Sequence, residues 1–330
     1  MTADSRSGFG YTFGGLQAAA VIDSGDVLTV DTEDCFGGAV TGPSTLPSQV
    51  CDLSRVNPVT GPFYVRDAEP GDTLAIHFLS IRPSRDWAVS ATFPHFGALT
   101  ASHDTPMLHQ ALEERVWRYD LDLDANTARF SATKSAHTAA LPITPMHGTV
   151  GVAPAGGVVL STLTSGSHGG NLDTNIITAG TTVYFGMNVA GGMFALGDGH
   201  ALQGDGELCG VAVECAMTTT LAIEVIKGAA TPWPRAETDT ELISIGPGRP
   251  LDDAARNAGV DMVRWLQLLS GMDELDSMQL FSQIVTLTVG NMCDPAYTVN
   301  ARVPKRLLPF DTTAVYGGAH QRLRGKPHQT

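Results

Sequence analysis

The chain reads as a mainly β protein, a sandwich or barrel-like fold with a smaller α+β portion that contains two helices. Three observations predict this. Thirty-six glycines and nineteen prolines divide the sequence into many short apolar runs, as expected of strands joined by tight turns. Several of those runs alternate apolar and polar residues with a period of two. Past residue 245 the periodicity becomes helical. The 330 residues are taken as a single unit, β-rich over 1–245 and α+β over 246–330. A chain of this length buries roughly three quarters of its unfolded surface, enough for a sizeable core.

The elements follow in order. SGDVLTVDTED (24–34) and PGDTLAIHFLS (70–80) each open on a Gly-Asp turn and continue as an alternating strand. In the second, Leu74, Ile76 and Phe78 point to one face. AGTTVYFGMNV (179–189) repeats the rhythm without the aspartate. Such echoes fit duplicated β units, although a Gly-Asp turn before a strand is common. LCGVAVECAMTTTLAIEVIKG (208–228) reads as two strands or one long bent strand, rich in Val, Ile and Thr. A Pro-containing bridge, ATPWPRAETDTE (230–241), precedes the helical region. LDDAARNAGVDMVRWLQLL (251–269) predicts one helix. A second runs from Asp273 to Gly290, with Met278, Phe281, Ile284, Val285 and Thr288 on one face and Gly290-Asn291 as its stop. The apolar faces of both helices read as core or subunit contact, and the acids of GMDELDSM (271–278) as a cap and a solvated face. PAYTVNARVPKRLLP (295–309) reads as a strand and exit, and the last twenty residues as loosely held.

Composition excludes several functions. The formal charge is −14, and the only basic run is a thin C-terminal one, Lys305, Arg306, Arg322, Arg324 and Lys326. Binding to phosphate backbones requires clustered Lys and Arg, so neither nucleic acid nor an anionic membrane is an expected partner. The five cysteines form an odd, scattered set with no CxxC pair, which argues against a disulfide framework or a zinc finger. Reduced thiols in the cytoplasm fit best. The N-terminal stretch has no apolar signal-like region, and no uncharged apolar run approaches the ~18 residues of a membrane span.

The densest chemistry lies in GDGHALQGDGE (197–207), which holds four glycines, three acids, a glutamine and a histidine. The glycines allow a tight loop that aims polar side chains at one point. Asp198, His200, Asp205 and Glu207 offer the oxygen and nitrogen ligands that suit Zn²⁺, Mn²⁺ or Fe²⁺, and a carboxylate outside the coordination shell can serve as general base. The bland reading is a surface turn whose acids cap backbone amides. In SGSHGGNLDTN (165–175), His168, Asn171 and Asp173 follow a glycine-rich bend, and the amides of Gly169 and Gly170 are candidate oxyanion donors; an Asx-turn between strands is the alternative. Asp34 ends a strand in VDTEDCFGG, as a ligand or a solvated strand end. His95 in PHFGAL and His147 in PMHGTVGVAPAGG are weaker candidates, since a lone histidine is more often packed and hydrogen-bonded. Cys209 and Cys215 are expected in a buried strand, where a thiol is inert. The chain has no Walker loop, no EF-hand register, no dinucleotide-binding glycine motif opening a helix and no G-x-S-x-G elbow.

Taken in order, six segments resemble the acetamidase/formamidase family: GPFYVRDAEPGDTLAI (61–76), GVAPAGG (151–157), GGNLD (169–173), GDGHALQGDGE (197–207), WPR (233–235) and MDELDSMQLFSQ (272–283). The resemblance covers about residues 20 to 310. It implies hydrolysis of a short, neutral amide (of formamide or acetamide type) to a carboxylate and ammonia. It further implies a homo-oligomer, dimer or tetramer, and a bound divalent metal such as zinc. On this reading Asp34, Asp173 and His200 are metal ligands, with His95, His147 and Asp198 as weaker ones. Glu207 is the general base, and Asp205 and Gln203 orient that base or the substrate amide. Gly169, Gly170, Asn171 and His168 lie beside the substrate and its oxyanion. One departure stands out: family members often carry Pro-Gly just before GGN, where this chain has Ser167-His168, in a loop read as bordering the substrate. Two alternatives stay open, the same fold acting on a lactam or ureido C–N bond, and a non-catalytic metal-dependent module that binds a small ligand.

Overall fold

The structure is a computed structural model that describes residues 2–3, 8–100 and 111–327. Two large sheets dominate it. The nine-stranded sheet runs from Thr2–Ala3 through Val27–Thr32, Met217–Ile226, Thr73–Pro83, Thr182–Gly186, Arg235–Glu237, Glu241–Gly248 and Tyr297–Pro304 to Thr286–Val289. The ten-stranded sheet is organised around Phe194–Leu202, which pairs with Met146–Gly151, with Val59–Val65 and with the short Val213–Glu214. Irregular register along Phe194–Leu202 lets this one strand serve three partners. Neither sheet closes into a barrel; they pack sandwich-like on a shared core. Leu74, Ile76 and Phe78 of the first sheet meet Val150, Phe194 and Leu196 of the second, as the alternation over 70–80 predicts. The opposite face of that strand is buried too: Ala75 packs with Tyr184, Ala319 and Leu323. Among the described residues no helix is long and apolar enough to cross a membrane.

The first long helix, Leu251–Ser270, buries Ala254, Ala258, Met262, Trp265 and Leu266. It lies so close to the sheet that a β-carbon on Gly246 would stand 2.4 Å from the Ala254 carbonyl oxygen. Gly271, with φ 72°, ends it in the left-handed conformation that glycine tolerates. The second helix is capped by Asp273, whose side chain accepts from the Asp276 amide. It ends at Ile284, short of the expected Gly290. Residues Thr286–Val289 instead form the edge strand beside Tyr297–Pro304, because the β-branched Val285, Thr286, Thr288 and Val289 prefer extended backbone and find a partner there.

Two other expectations are corrected. The 208–228 stretch forms two strands, as read, Val213–Glu214 in one sheet and Met217–Ile226 in the other, but Cys209 is exposed in the loop before them rather than buried in a strand. Cys215 is buried, as read, and burial pushes its thiol up to about 12. The C-terminus is not loosely held through residue 327. Val315, Ala319, His320 and Leu323 are buried against the nine-stranded sheet, and Arg322 pairs with Glu224.

Candidate active site

The GDGHALQGDGE block is half strand and half loop. Gly197 to Leu202 close the Phe194–Leu202 strand in the middle of the ten-stranded sheet. The expected tight loop is confined to 203–207. The two glycines of the strand half answer to packing: a β-carbon on Gly197 would lie 2.1 Å from the Pro58 carbonyl oxygen, and one on Gly199 2.4 Å from the Cys215 carbonyl oxygen. Asp198 adopts φ 57° and Glu207 φ 45°, and Asp173 from the neighbouring segment adopts φ 39°. Left-handed backbone at three non-glycine acids is strain that the surrounding fold must hold in place, and such strain concentrates at functional sites.

These three acids, with Glu214, surround His200. Its Nε2 lies 3.2 Å from Asp198 Oδ1, 3.4 Å from Glu214 Oε1 and 4.0 Å from Asp173 Oδ1. The strand register sets Glu214 opposite His200. Gln203 fixes the ring. Its Nε2 donates to the carbonyls of Asp173 (2.6 Å) and Gly290 (3.0 Å), so its Oε1 must face His200 Nδ1 at 2.9 Å. An accepting Oε1 places a proton on Nδ1 and leaves Nε2 directed at the acids. Gly148 forms the floor. A β-carbon there would lie 2.3 Å from Asp173 Oδ1, 2.5 Å from Asp198 Oδ2 and 2.8 Å from His200 Cε1.

A second layer holds the acids. Asn57 Nδ2 donates to Asp198 Oδ2 (3.0 Å) and Asn171 Oδ1 (2.9 Å), and Thr149 Oγ1 donates toward the same two oxygens. Asn171 Nδ2 in turn donates to Asp294 Oδ2 at 2.9 Å. Asp173 Oδ1 is buried without a hydrogen-bond partner among the described residues.

The electrostatics follow from five buried acids around one histidine. Burial, then repulsion from Glu207, Asp294 and Asp198, lifts the Asp173 carboxyl well above its ordinary range. Burial likewise raises Glu207 well above its range against the pull of His200, with Asp294, Glu214 and Asp198 adding repulsion. Burial, partly offset by His200, brings Glu214 to about 8. Burial takes Asp294 to about 6, although a hydrogen bond from Asp173 opposes it. Burial would also raise Asp198, but attraction and hydrogen bonding from His200 and hydrogen bonds from Thr149 and Glu214 outweigh it and hold that carboxyl low. Burial disfavours a charged His200, yet Glu214 and Asp198 prevail and raise it well above its usual value.

Such a set suits a divalent cation, which would replace the protons these groups otherwise retain. Asp173, His200 and Glu207 offer ligand atoms all within 4.8 Å of one another; Cys35, Asp198 and Glu214 form a second such group and Glu207, Cys293 and Asp294 a third. The residue types and the unpartnered Asp173 Oδ1 fit a metal. The cluster forms the foot of a cavity of about 380 Å³.

Of the residues expected at the site, Asp173, Asp198, His200, Gln203, Glu207 and Asn171 are brought together. Asp34 is not. Its Oδ1 accepts from the amides of Phe36 (2.9 Å) and Gly38 (3.0 Å), its Oδ2 from Arg85, and it does not line the cavity. This carboxylate is already committed to three donors of its own neighbourhood. Asp205 is exposed and accepts from Asn175 Nδ2 at 2.7 Å, so it does not orient Glu207. The Gly169 amide donates to the Gly166 carbonyl and is spent. Gly170 faces the Thr164 carbonyl, which a β-carbon would meet at 2.1 Å; neither glycine lines the cavity. His168 packs edge-on to Phe13 with ring centroids 5.3 Å apart, so the Ser167-His168 loop does not border the cavity. His147 bonds the Gly197 carbonyl and Thr219 in the core, and burial lowers it to about 4. His95 is exposed and outside the cavity wall. Sequence reading missed Asn57, Gly148, Thr149, Glu214 and Asp294. Only Glu214 left a trace, as an isolated acid inside an apolar strand.

Comparison with known proteins agrees with this architecture. The model of the Acetamidase/Formamidase family matches residues 13–162 and 89–250. The crystal structure of an acetamidase from Yersinia enterocolitica is 38% identical, with 93% of this chain and 92% of that one covered at a TM-score of 0.86. An acetamidase from Bacillus halodurans is 32% identical, covering 93% of this chain and 98% of that one at a TM-score of 0.83. The formamidase of Methylophilus methylotrophus is 27% identical over 64% of this chain. The chain spans 62% of the length of the curated formamidases it matches. With a family model spanning most of its sequence and solved acetamidases superposing over nearly its whole length, the chain belongs to the acetamidase/formamidase family.

Proposed function

We propose that this chain hydrolyses the C–N bond of a small neutral carboxamide, giving a carboxylate and ammonia, with a divalent cation of the zinc type at the His200 cluster. The observation that carries the reading is the unpartnered Asp173 Oδ1, buried among four further acids and one histidine at the foot of a cavity. Asp173 and His200 would hold the cation, with Asp198 beside them. When bound, such an ion polarises a carbonyl and lowers the pKa of water toward about 7. Glu207 supplies the base. Its raised carboxyl matches the task of taking a proton from the attacking water and returning it to the departing nitrogen. Gln203 keeps the His200 ring in one orientation, and Asn57 and Thr149 do the same for Asp198.

The test pairs elemental analysis of the purified protein with turnover before and after chelation. Ammonia release is followed with formamide and acetamide, and ring opening with a γ-lactam. The expected result is a stoichiometric metal and amide turnover that chelation abolishes and added metal restores. Full turnover without metal would overturn the metal's role. Metal without turnover of any of the three would favour a ligand-binding module, and turnover of the lactam alone would move the substrate to cyclic amides.

A further inference from the structure

We propose that the substrate is a primary amide bearing a bulky apolar acyl group, an aryl or branched alkyl chain, a refinement that rests on the amide-hydrolase reading above. Formamide and acetamide have three and four heavy atoms. The cavity holds about 380 Å³, within the range of roughly 300–1,000 Å³ that accommodates much larger ligands. Its lining is of two chemistries. The floor carries the acids and His200. The walls carry Phe36, Leu53, Phe93, Phe96, Leu163 and Val211. A substrate of acetamide's size would leave most of this apolar wall against water.

The wall is also pre-built. Phe93 lies 6.2 Å from Phe36 and 6.0 Å from Phe96 between ring centroids, the latter pair edge-on. Phe96 rests on the backbone of Gly210, where a β-carbon would stand 2.6 Å from its ring. The Ala98 amide donates to the Leu208 carbonyl at 3.0 Å, and the Gly210 amide to the Glu207 carbonyl at 2.8 Å. The aromatic loop is therefore stitched to the segment that follows Glu207. A substrate whose acyl group lies on this wall has its carbonyl carbon delivered toward the acids. Water then adds at that carbon, the C–N bond breaks, and the nitrogen leaves as ammonia with the proton taken from water.

The experiment compares kcat/KM for ammonia release from formamide, acetamide, isobutyramide and phenylacetamide. A rise of about 10- to 100-fold from acetamide to phenylacetamide, carried mainly by KM, is expected, since one methylene in an apolar pocket is worth roughly 10- to 200-fold. Highest values on formamide or acetamide would overturn the proposal while leaving amide hydrolysis intact. If no amide releases ammonia, the hydrolase reading fails and calorimetry decides the pocket's preference. Phenylacetamide binding at least about tenfold more tightly than acetamide supports an apolar-acyl site, and equal binding overturns it. Leu163→Trp, which fills the wall, should cut the phenylacetamide-to-acetamide ratio about tenfold. Leu53→Asp, at a position 60% exposed where the fold does not depend on the side chain, should lower the same ratio and replaces L163W if that variant does not fold.

Discussion

Beneath the Leu251–Ser270 helix, Arg235 donates to both oxygens of Asp261 at 2.8 Å, while Ser244 adds a third bond to that carboxylate. Tyr316 accepts from the same guanidinium, and the Trp265 ring lies 4.7 Å from it. At the cavity floor five acids face a single histidine, no Lys or Arg lines the cavity among the described residues, and one carboxylate oxygen has no partner. Both places bury charge. In the first both carboxylate oxygens and all three guanidinium nitrogens have a partner, so the cluster is self-sufficient and serves the fold. In the second the protein supplies acceptors in excess and donors in deficit, which is the composition of a site awaiting a cation or a substrate. Asp34 with Arg85 belongs to the first kind, which is why a buried acid at a strand end proved to be an anchor.

The sharpest way to break this contrast is a pair of isosteric or truncating changes. Glu207→Gln keeps the shape of the site and removes the base. Amide turnover should fall by about 10²- to 10⁴-fold, while thermal stability holds or rises, because a buried carboxyl whose charged form burial disfavours is replaced by a neutral amide. Asp261→Ala should do the opposite. Leaving Arg235 buried and unpaired costs about 3–5 kcal/mol in denaturant unfolding, with kcat/KM of the remaining folded protein unaltered. Full turnover in E207Q, or an undisturbed stability in D261A, would mean that the two clusters have been assigned the wrong roles.

A smaller effect separates the clusters by pH. In metal-free protein, Glu214 at about 8 and Asp294 at about 6 both lie above ordinary carboxyl values, so the folded chain holds protons more tightly than the unfolded one. That contribution is complete below the ordinary values and is lost as pH rises through about 6 and then about 8. His200, also raised, acts in the same direction. Asp198, held low, contributes above its ordinary value and loses stability only in acid. The melting temperature of the chelated protein should therefore fall between pH 5.5 and 9, and saturating zinc should flatten the curve. A profile that rises over this window would contradict the excess of buried protons at the floor.

How much of this was legible depended on how far a residue's partners lie along the chain. The inward face of 70–80 could be read because alternation is local. Asp173, Asp198, His200 and Glu207 could be found because the glycines around them announce unusual backbone. Glu214 reaches His200 only through strand pairing, and Asn57 and Asp294 arrive from segments 141 residues before Asp198 and 123 after Asn171. No local pattern marks Asn57 or Asp294. The second helix was overextended because Phe281, Ile284, Val285 and Thr288 satisfy a helical spacing while the last residues also suit an edge strand. Only the pairing with Tyr297–Pro304 decides between the two. At the C-terminus, Val315, Ala319 and Leu323 are spaced four apart, a stripe too short to register as a helix until the sheet beneath it is seen.

The smallest effect tests whether membership in the glycine-rich block or geometry confers a role. Asp205 sits two residues before Glu207, yet its carboxylate is exposed and accepts a 2.7 Å bond from Asn175. That bond ties the 204–205 turn to the segment after Asp173 and reaches no reacting group. Asp205→Ala should therefore change kcat/KM by no more than about threefold and stability by about 0.5 kcal/mol, the range of exposed substitutions away from special contacts. Gln203→Ala, in the same loop but bonded to His200 and to two buried carbonyls, should be far more damaging to both. Equal losses in the two variants would show that the loop acts as one unit held by its glycines. A benign D205A beside a crippled Q203A would place the function in the hydrogen bonds that reach His200.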